Sequence, residues 1–231
     1  DEMRSKQCHV QSLLEAEDVD VRDFGLIDNA QAAYDAVPQI LAADIDVLFI
    51  DMVTYATSST FGVLCREIRV PIVLVAIQPM KAMDYPNGTT YMQLCNDDFC
   101  SVPEFTGVAV RFGRQVPPVI LGHEGDDPEV VRDIRRWCGI AKALHSLRKS
   151  RVGLMGHVLE SMLDMHTDPT AITSAFGLHV VLVEPGEIFR HYRAPDAKRV
   201  DEWKARILEF FDTPDPKADP LTEKLTERDL E

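Results

Sequence analysis

No apolar run in this sequence approaches the roughly 20 residues that a helix needs to cross a bilayer, and the opening DEMRSKQCHV has no signal-peptide core. These absences predict a cytoplasmic chain with no membrane partner. Positive charge is scarce: 24 Lys and Arg stand against 38 Asp and Glu, a formal net charge of -14. So acidic a chain repels phosphate backbones, which argues against a nucleic-acid partner. The five cysteines, Cys8, Cys65, Cys95, Cys100 and Cys138, are odd in number and scattered, without a CxxC pair. That spacing offers no zinc site and predicts reduced thiols. Cys65 and Cys138 fall among apolar helical residues and read as small buried hydrophobes. A Gly-x-Ser-x-Gly elbow, a Walker loop and an HExxH pair are all missing, so no nucleophile, nucleotide or zinc-protease chemistry follows from motif alone.

What is present is an ordinary globular composition. Of the 231 residues 45% are hydrophobic and 27% charged, enough to bury a core in one large domain or two smaller ones. Three runs rich in Val, Ile and Leu, DVLFIDM (46–52), VPIVLVAIQP (70–79) and VPPVILG (116–122), alternate with helical patterns. That alternation predicts βαβ units and a parallel sheet with flanking helices. A weaker strand is expected over 19–27, then a helix capped by Asn29 with Ala33, Val37, Ile40 and Leu41 on its buried face and Pro38 as a possible bend. A first helix is expected over residues 3–15 and a longer one over 127–150, the latter ending in a basic turn that suits the helix dipole.

A second unit is expected from Ser150, with strands RVGLMG and LHVVLVEPGEI and a helix over 199–211. The stretch DTPDPKADP reads as a linker and DPLTEKLTERDLE as a helix start. A doubly wound sheet usually begins with a strand, whereas this chain opens on a helix. The expectation is therefore a segment of a longer protein, with domains at 1–149 and 150–231, the second incomplete.

Polar residues crowd two stretches. In RVGLMGHVLESMLDMHTDPT, Gly153 and Gly156 border a strand end but lack the third glycine of a dinucleotide fingerprint, and read as turn formers. Asp164, His166 and Asp168 alternate, so an extended loop would point them the same way. Asp168 before Pro169 matches a helix N-cap, which leaves Asp164 and His166 open between a ligand-facing wall and local hydrogen bonds. In LCNDDFCSVPEF (94–105), Asn96, Asp97, Asp98 and Glu104 gather around Phe99 and Phe105 in a mainly helical stretch interrupted by Pro103. Adjacent carboxylates in a helix face different ways, so acid/base work is only weakly indicated. GHEGDDPE reads as a solvated acidic turn in which Asp126 or Asp127 caps the next helix.

Taken in order, DVLFIDMVTYATSST, VPIVLVAIQP, CSVPEF and RVGLMGHVLESMLDMHTDPTAITSAFGLHVVLVEPGEI resemble the L-fucose/L-arabinose isomerase family, in a branch nearer arabinose isomerase. The resemblance spans nearly the whole chain. It implies an N-terminal Rossmann-like domain followed by the start of a second α/β domain. It also implies an aldose–ketose isomerase that uses Mn2+, held by two glutamates and a histidine without counterpart here, so no metal or catalytic residue is assigned to this segment. Members assemble their site between subunits, which implies a homo-oligomer and a small sugar as partner. The stretch Asn96–Phe105 matches the part that lends polar residues to the sugar, with Asp97 and Cys100 standing where arabinose isomerases carry Gln and His. Met162 matches a pocket-lining methionine, and Glu160, Asp164 and His166 belong to this branch's version of that loop. Asn96, Asp97, Cys100, Glu160, Met162, Asp164 and His166 are thus the expected substrate-binding residues. Two other functions fit the same features: a two-lobed sugar-binding module without catalysis, and a module that serves only in oligomer assembly.

Overall fold

A computed structural model describes residues 2–211. The chain divides into two compact units, Asp1–Lys149 and Ser150–Glu231. Unit 1 is a mixed α/β fold of the Rossmann-like kind. Its strands β1 (Leu48–Asp51), β2 (Ile72–Gln78) and β3 (Val119–His123) are parallel and lie in the order β1-β2-β3. The central strand explains why both faces must be covered. Ile72, Leu74 and Ala76 point into one buried cluster, and Val73, Val75 and Ile77 into the other. Each such Val, Ile or Leu removed from water contributes about 1.5–3 kcal/mol.

The first cluster is closed by α2 (Ala30–Ala42), α3 (Ser58–Glu67) and α5 (Val102–Arg111), with the rings of Phe61 and Phe105 stacked at 4.5 Å. The second is closed by α1 (Glu2–Glu15) and α6 (Pro128–Arg148), through Val10, Leu14, Val130, Ile134 and Cys138. Asn29 caps α2 as expected, accepting from the Ala32 amide at 2.9 Å, and Pro38 is carried inside the helix. Leu41 is exposed; Ala36 takes its expected place on the buried face, because the turn of the helix carries Leu41 past the core edge. Asp127 caps α6 through the Glu129 amide, and Cys65 and Cys138 are buried. Pro103 lies in the first turn of α5, so it starts a helix where an interruption was expected. The expected strand over 19–27 is not formed: those residues run without secondary structure and have no paired neighbour.

Unit 2 pairs β4 (Arg151–Met155) with β5 (His179–Val183) in parallel. Between them come a single 3-10 turn (Leu163–Met165) and α7 (Pro169–Phe176), which ends on Gly177 at φ +74°, a left-handed position that glycine adopts without strain. The residues after β5, expected as a turn, form α8 (Pro185–Arg193), and α9 (Ala197–Phe210) follows. Leu178 is the one buried hydrophobic residue among those described in unit 2. The expected linker and final helix start, in 212–231, lie outside the described residues. Among the described residues no helix is long and apolar enough to cross a membrane.

Candidate functional site

In an open parallel sheet the ligand crevice lies beyond the carboxyl ends of the strands. In unit 1 that end carries Asp51, Gln78, His123 and Glu124, each closing or following an otherwise apolar strand. Glu124 donates its amide to the Gln78 carbonyl at 2.7 Å, which continues the ladder past β3.

Lys6 organises this end. It occupies the face of α1 that also carries Val10 one turn later, so packing α1 on the sheet carries the ammonium inward. The Nζ donates to the Val53 carbonyl at 2.9 Å, the Cys95 carbonyl at 2.7 Å and both Asp98 oxygens at 2.9 and 2.8 Å. Lys6 is 6% exposed and Asp98 1%. An ion pair so removed from water holds only because carbonyls complete the ammonium's shell. Burial still pushes the Asp98 carboxyl above the usual carboxylate range, outweighing the opposite pull of Lys6.

Asp51, at the end of β1, has a buried Oδ2 with no hydrogen-bond partner. Its carboxyl is pushed up to about 7, first by burial and next by the Asp98 charge, with Lys6 opposing and Glu124 adding. A carboxyl titrating there can give or take a proton near neutrality, which an ordinary aspartate cannot do.

The loop after α4 (Thr90–Cys95) is fixed to these strand ends. Gln78 Nε2 donates to the Asn96 carbonyl, and Asn96 Oδ1 accepts from the Met80 amide at 3.0 Å. Ser101, fully buried, accepts from the Ala56 amide at 2.7 Å through its hydroxyl. Between these anchors Asp97 is half-buried and Cys100 exposed. The Cys100 thiol is raised by local desolvation, by the Asp97 charge and hydrogen bond, and by Glu104, so it stays protonated. Tyr55 donates to Glu104 Oε1 at 3.0 Å beside it.

Asn96, Asp97 and Cys100 therefore share one pinned loop, though Asn96 spends its carbonyl and its Oδ1 on holding that loop. Glu160, Met162, Asp164 and His166 share a different loop, beyond the carboxyl end of β4, and all four are exposed. The alternation expected of Asp164, His166 and Asp168 fails at its first member: Asp164 sits in the 3-10 turn, whose backbone rotates successive side chains about the axis. Asp168 is the N-cap of α7, accepting from the Thr170 amide at 2.8 Å and its hydroxyl at 2.7 Å, which holds its carboxyl below the usual range. His123 closes β3, and the expected solvated turn follows over 124–126, with Asp127 Oδ2 accepting from the His123 amide at 3.1 Å.

Sequence reasoning missed Lys6, Asp51 and Gln78 as site residues. Asp51 and Gln78 had a signal, a polar residue closing an apolar run. Lys6 had none, because its partner lies 92 positions away. Among the described residues no group of three or more His, Cys, Asp or Glu is placed to hold a metal ion. Comparison with protein-family models and with curated proteins finds no match for this sequence.

Proposed function

We propose that this chain is the N-terminal part of a metal-dependent aldose–ketose isomerase, acting in the cytoplasm on a pentose or 6-deoxyhexose such as L-arabinose or L-fucose, as a homo-oligomer. The proposal draws on the resemblance of the quoted motifs. The observation that supports it best is the pinned Asn96–Ser101 loop, which holds Asp97 at the carboxyl end of a parallel sheet, where such folds bind small polar ligands. Sugar hydroxyls are donors, and a carboxylate accepts from them in charge-assisted bonds. Asp97 fills that role, and the protonated Cys100 beside it is a weak donor. In unit 2, taken by itself, the resemblance assigns sugar contacts to the exposed loop that carries Glu160, Met162, Asp164 and His166.

Mn2+, when bound in such an enzyme, polarises the sugar oxygens during proton transfer between adjacent carbons. The described residues do not fit that ion, and no step through it is assigned to them. The test is ketose formation from L-arabinose or L-fucose by the natural protein that contains this sequence. Mn2+-stimulated formation of the ketose supports the proposal. Sugar binding without any isomerisation, with or without Mn2+, contradicts it and favours a binding module.

A further inference from the structure

The chain contains three asparagines, Asn29, Asn87 and Asn96. Asn29 caps α2 through its Oδ1 and Asn96 holds the Met80 amide through its own, and each is followed by a residue that carries a side chain. Asn87 alone is followed by glycine. It lies between β2 and α4, where residues 84–90 are all exposed, and it closes a turn by donating its amide to the Asp84 carbonyl at 3.3 Å. Its Nδ2 donates to Asp84 Oδ2 at 2.9 Å. The Gly88 amide reaches the Tyr85 carbonyl only at 3.5 Å, beyond the usual N–H···O range, so that bond does little to hold the nitrogen in place.

A backbone nitrogen one residue on can attack a side-chain carboxamide. Glycine has no Cβ to shield its nitrogen, and its backbone freedom lets that nitrogen swing toward Asn87 Cγ. An exposed loop leaves room for the swing and for water. The Gly88 N–Cγ bond forms as the Cγ–Nδ2 bond breaks, and Nδ2 leaves as ammonia, taking the Gly88 amide proton. Water then opens the five-membered imide at either carbonyl. Opening at Cγ gives aspartate, and opening at the main-chain carbonyl of residue 87 gives isoaspartate. Nothing is oxidised or reduced, and water is the co-reactant.

We propose that Asn87–Gly88 is a self-deamidation site and that the carboxylate it produces opens the 84–87 turn. A negative charge then stands where the Nδ2 donor lay against Asp84, so an attraction becomes a like-charge repulsion. Two residues on, Thr89 caps α4 by accepting from the Met92 amide at 3.2 Å. That helix has six residues and no buried side chain, so its order depends on what holds its ends. The Asn96 bonds hold the far end; the turn steadies the cap at the near end, and deamidation releases it.

The test is incubation of the 231-residue chain at mildly alkaline pH, with digested samples read by mass spectrometry that separates aspartate from isoaspartate. Asn87 should convert at least tenfold faster than Asn29 or Asn96, with isoaspartate among the products. Gly88→Ala should slow the conversion at least fivefold. Its methyl group would meet the Asp84 carbonyl oxygen at 3.1 Å and so crowd the turn. Asn87→Gln leaves Gly88 in place, forces a larger ring and should slow conversion at position 87 at least as much. Hydrogen exchange reads the release: Asn87→Asp should raise exchange over 89–95 several-fold, and adding Asp84→Asn, which sets a donor opposite the new carboxylate, should restore the parent rate. One rate for all three asparagines, no conversion, or aspartate without isoaspartate would overturn the site. Unchanged exchange in Asn87→Asp, or a rise that Asp84→Asn leaves in place, would overturn the opening of the turn by charge.

Discussion

Lys6 Nζ lies 2.8 Å from Asp98 Oδ2, both side chains almost wholly buried, and this pair ties the first helix to a loop 92 residues away. Removing one partner strands the other charge. Lys6→Met should destabilise unit 1 by about 3–5 kcal/mol near neutral pH. The double variant Lys6→Met/Asp98→Leu should recover much of that loss, since an apolar pair of similar volume leaves no charge unpaired. Urea unfolding of the three proteins, followed by circular dichroism, measures both steps.

Asp51 makes stability depend on pH with an unusual sign. Its folded carboxyl titrates at about 7, well above an unfolded aspartate near 4, so between those values the folded state holds the extra proton. Stability therefore falls as pH rises through that window and is flat above it. Asp51→Asn removes the dependence and should be more stable than the parent at pH 8 by up to about 4 kcal/mol, with little difference at pH 4. Chemical denaturation at the two pH values reads the gap. A gap that does not grow with pH would mean that Asp51 is ionised throughout.

Gly122 lies where β3 meets the start of α6. A methyl group there would overlap Val130 Cγ2 and come within 2.6 Å of Asp127 Oδ2, and the second contact would disturb the cap that bonds the His123 and Glu129 amides. Gly122→Ala should cost about 1–3 kcal/mol by overpacking. Thermal unfolding beside Gly107→Ala, where a methyl group meets open space, checks it.

Cys100 is exposed yet held as a thiol, chiefly by desolvation and then by Asp97. Asp97→Asn removes that charge, lowers the thiol's pKa and should speed alkylation of Cys100 at pH 7.5 several-fold, with Cys8 unchanged. Peptide mapping after a timed iodoacetamide pulse separates the two cysteines.

The layered sheet was legible because β2 is apolar at consecutive positions, which only a strand covered on both faces tolerates. The caps at Asn29 and Asp168 were legible because their chemistry is local, and that of α6 was narrowed to Asp126 or Asp127, of which Asp127 takes it. The stretch 19–27 misled for the opposite reason: its side chains carry strand character, but a strand needs a hydrogen-bonded neighbour, and pairing is not written in the segment itself. Asp164 misled because period-two spacing says nothing where the backbone turns. The Lys6–Asp98 pair was hidden by distance along the chain, and with it the anchoring of the loop that carries Asp97.

The central claim, that the Asn96–Ser101 loop faces a sugar, is tested most directly by nitrogen-15 NMR of the 231-residue chain titrated with L-arabinose and with L-fucose. The account predicts saturable shifts of the 96–100 amides with at least one sugar, and their loss in Asp97→Ala while the rest of the spectrum is kept. An unchanged set of 96–100 amides at saturating sugar, or shifts that survive Asp97→Ala, would contradict it.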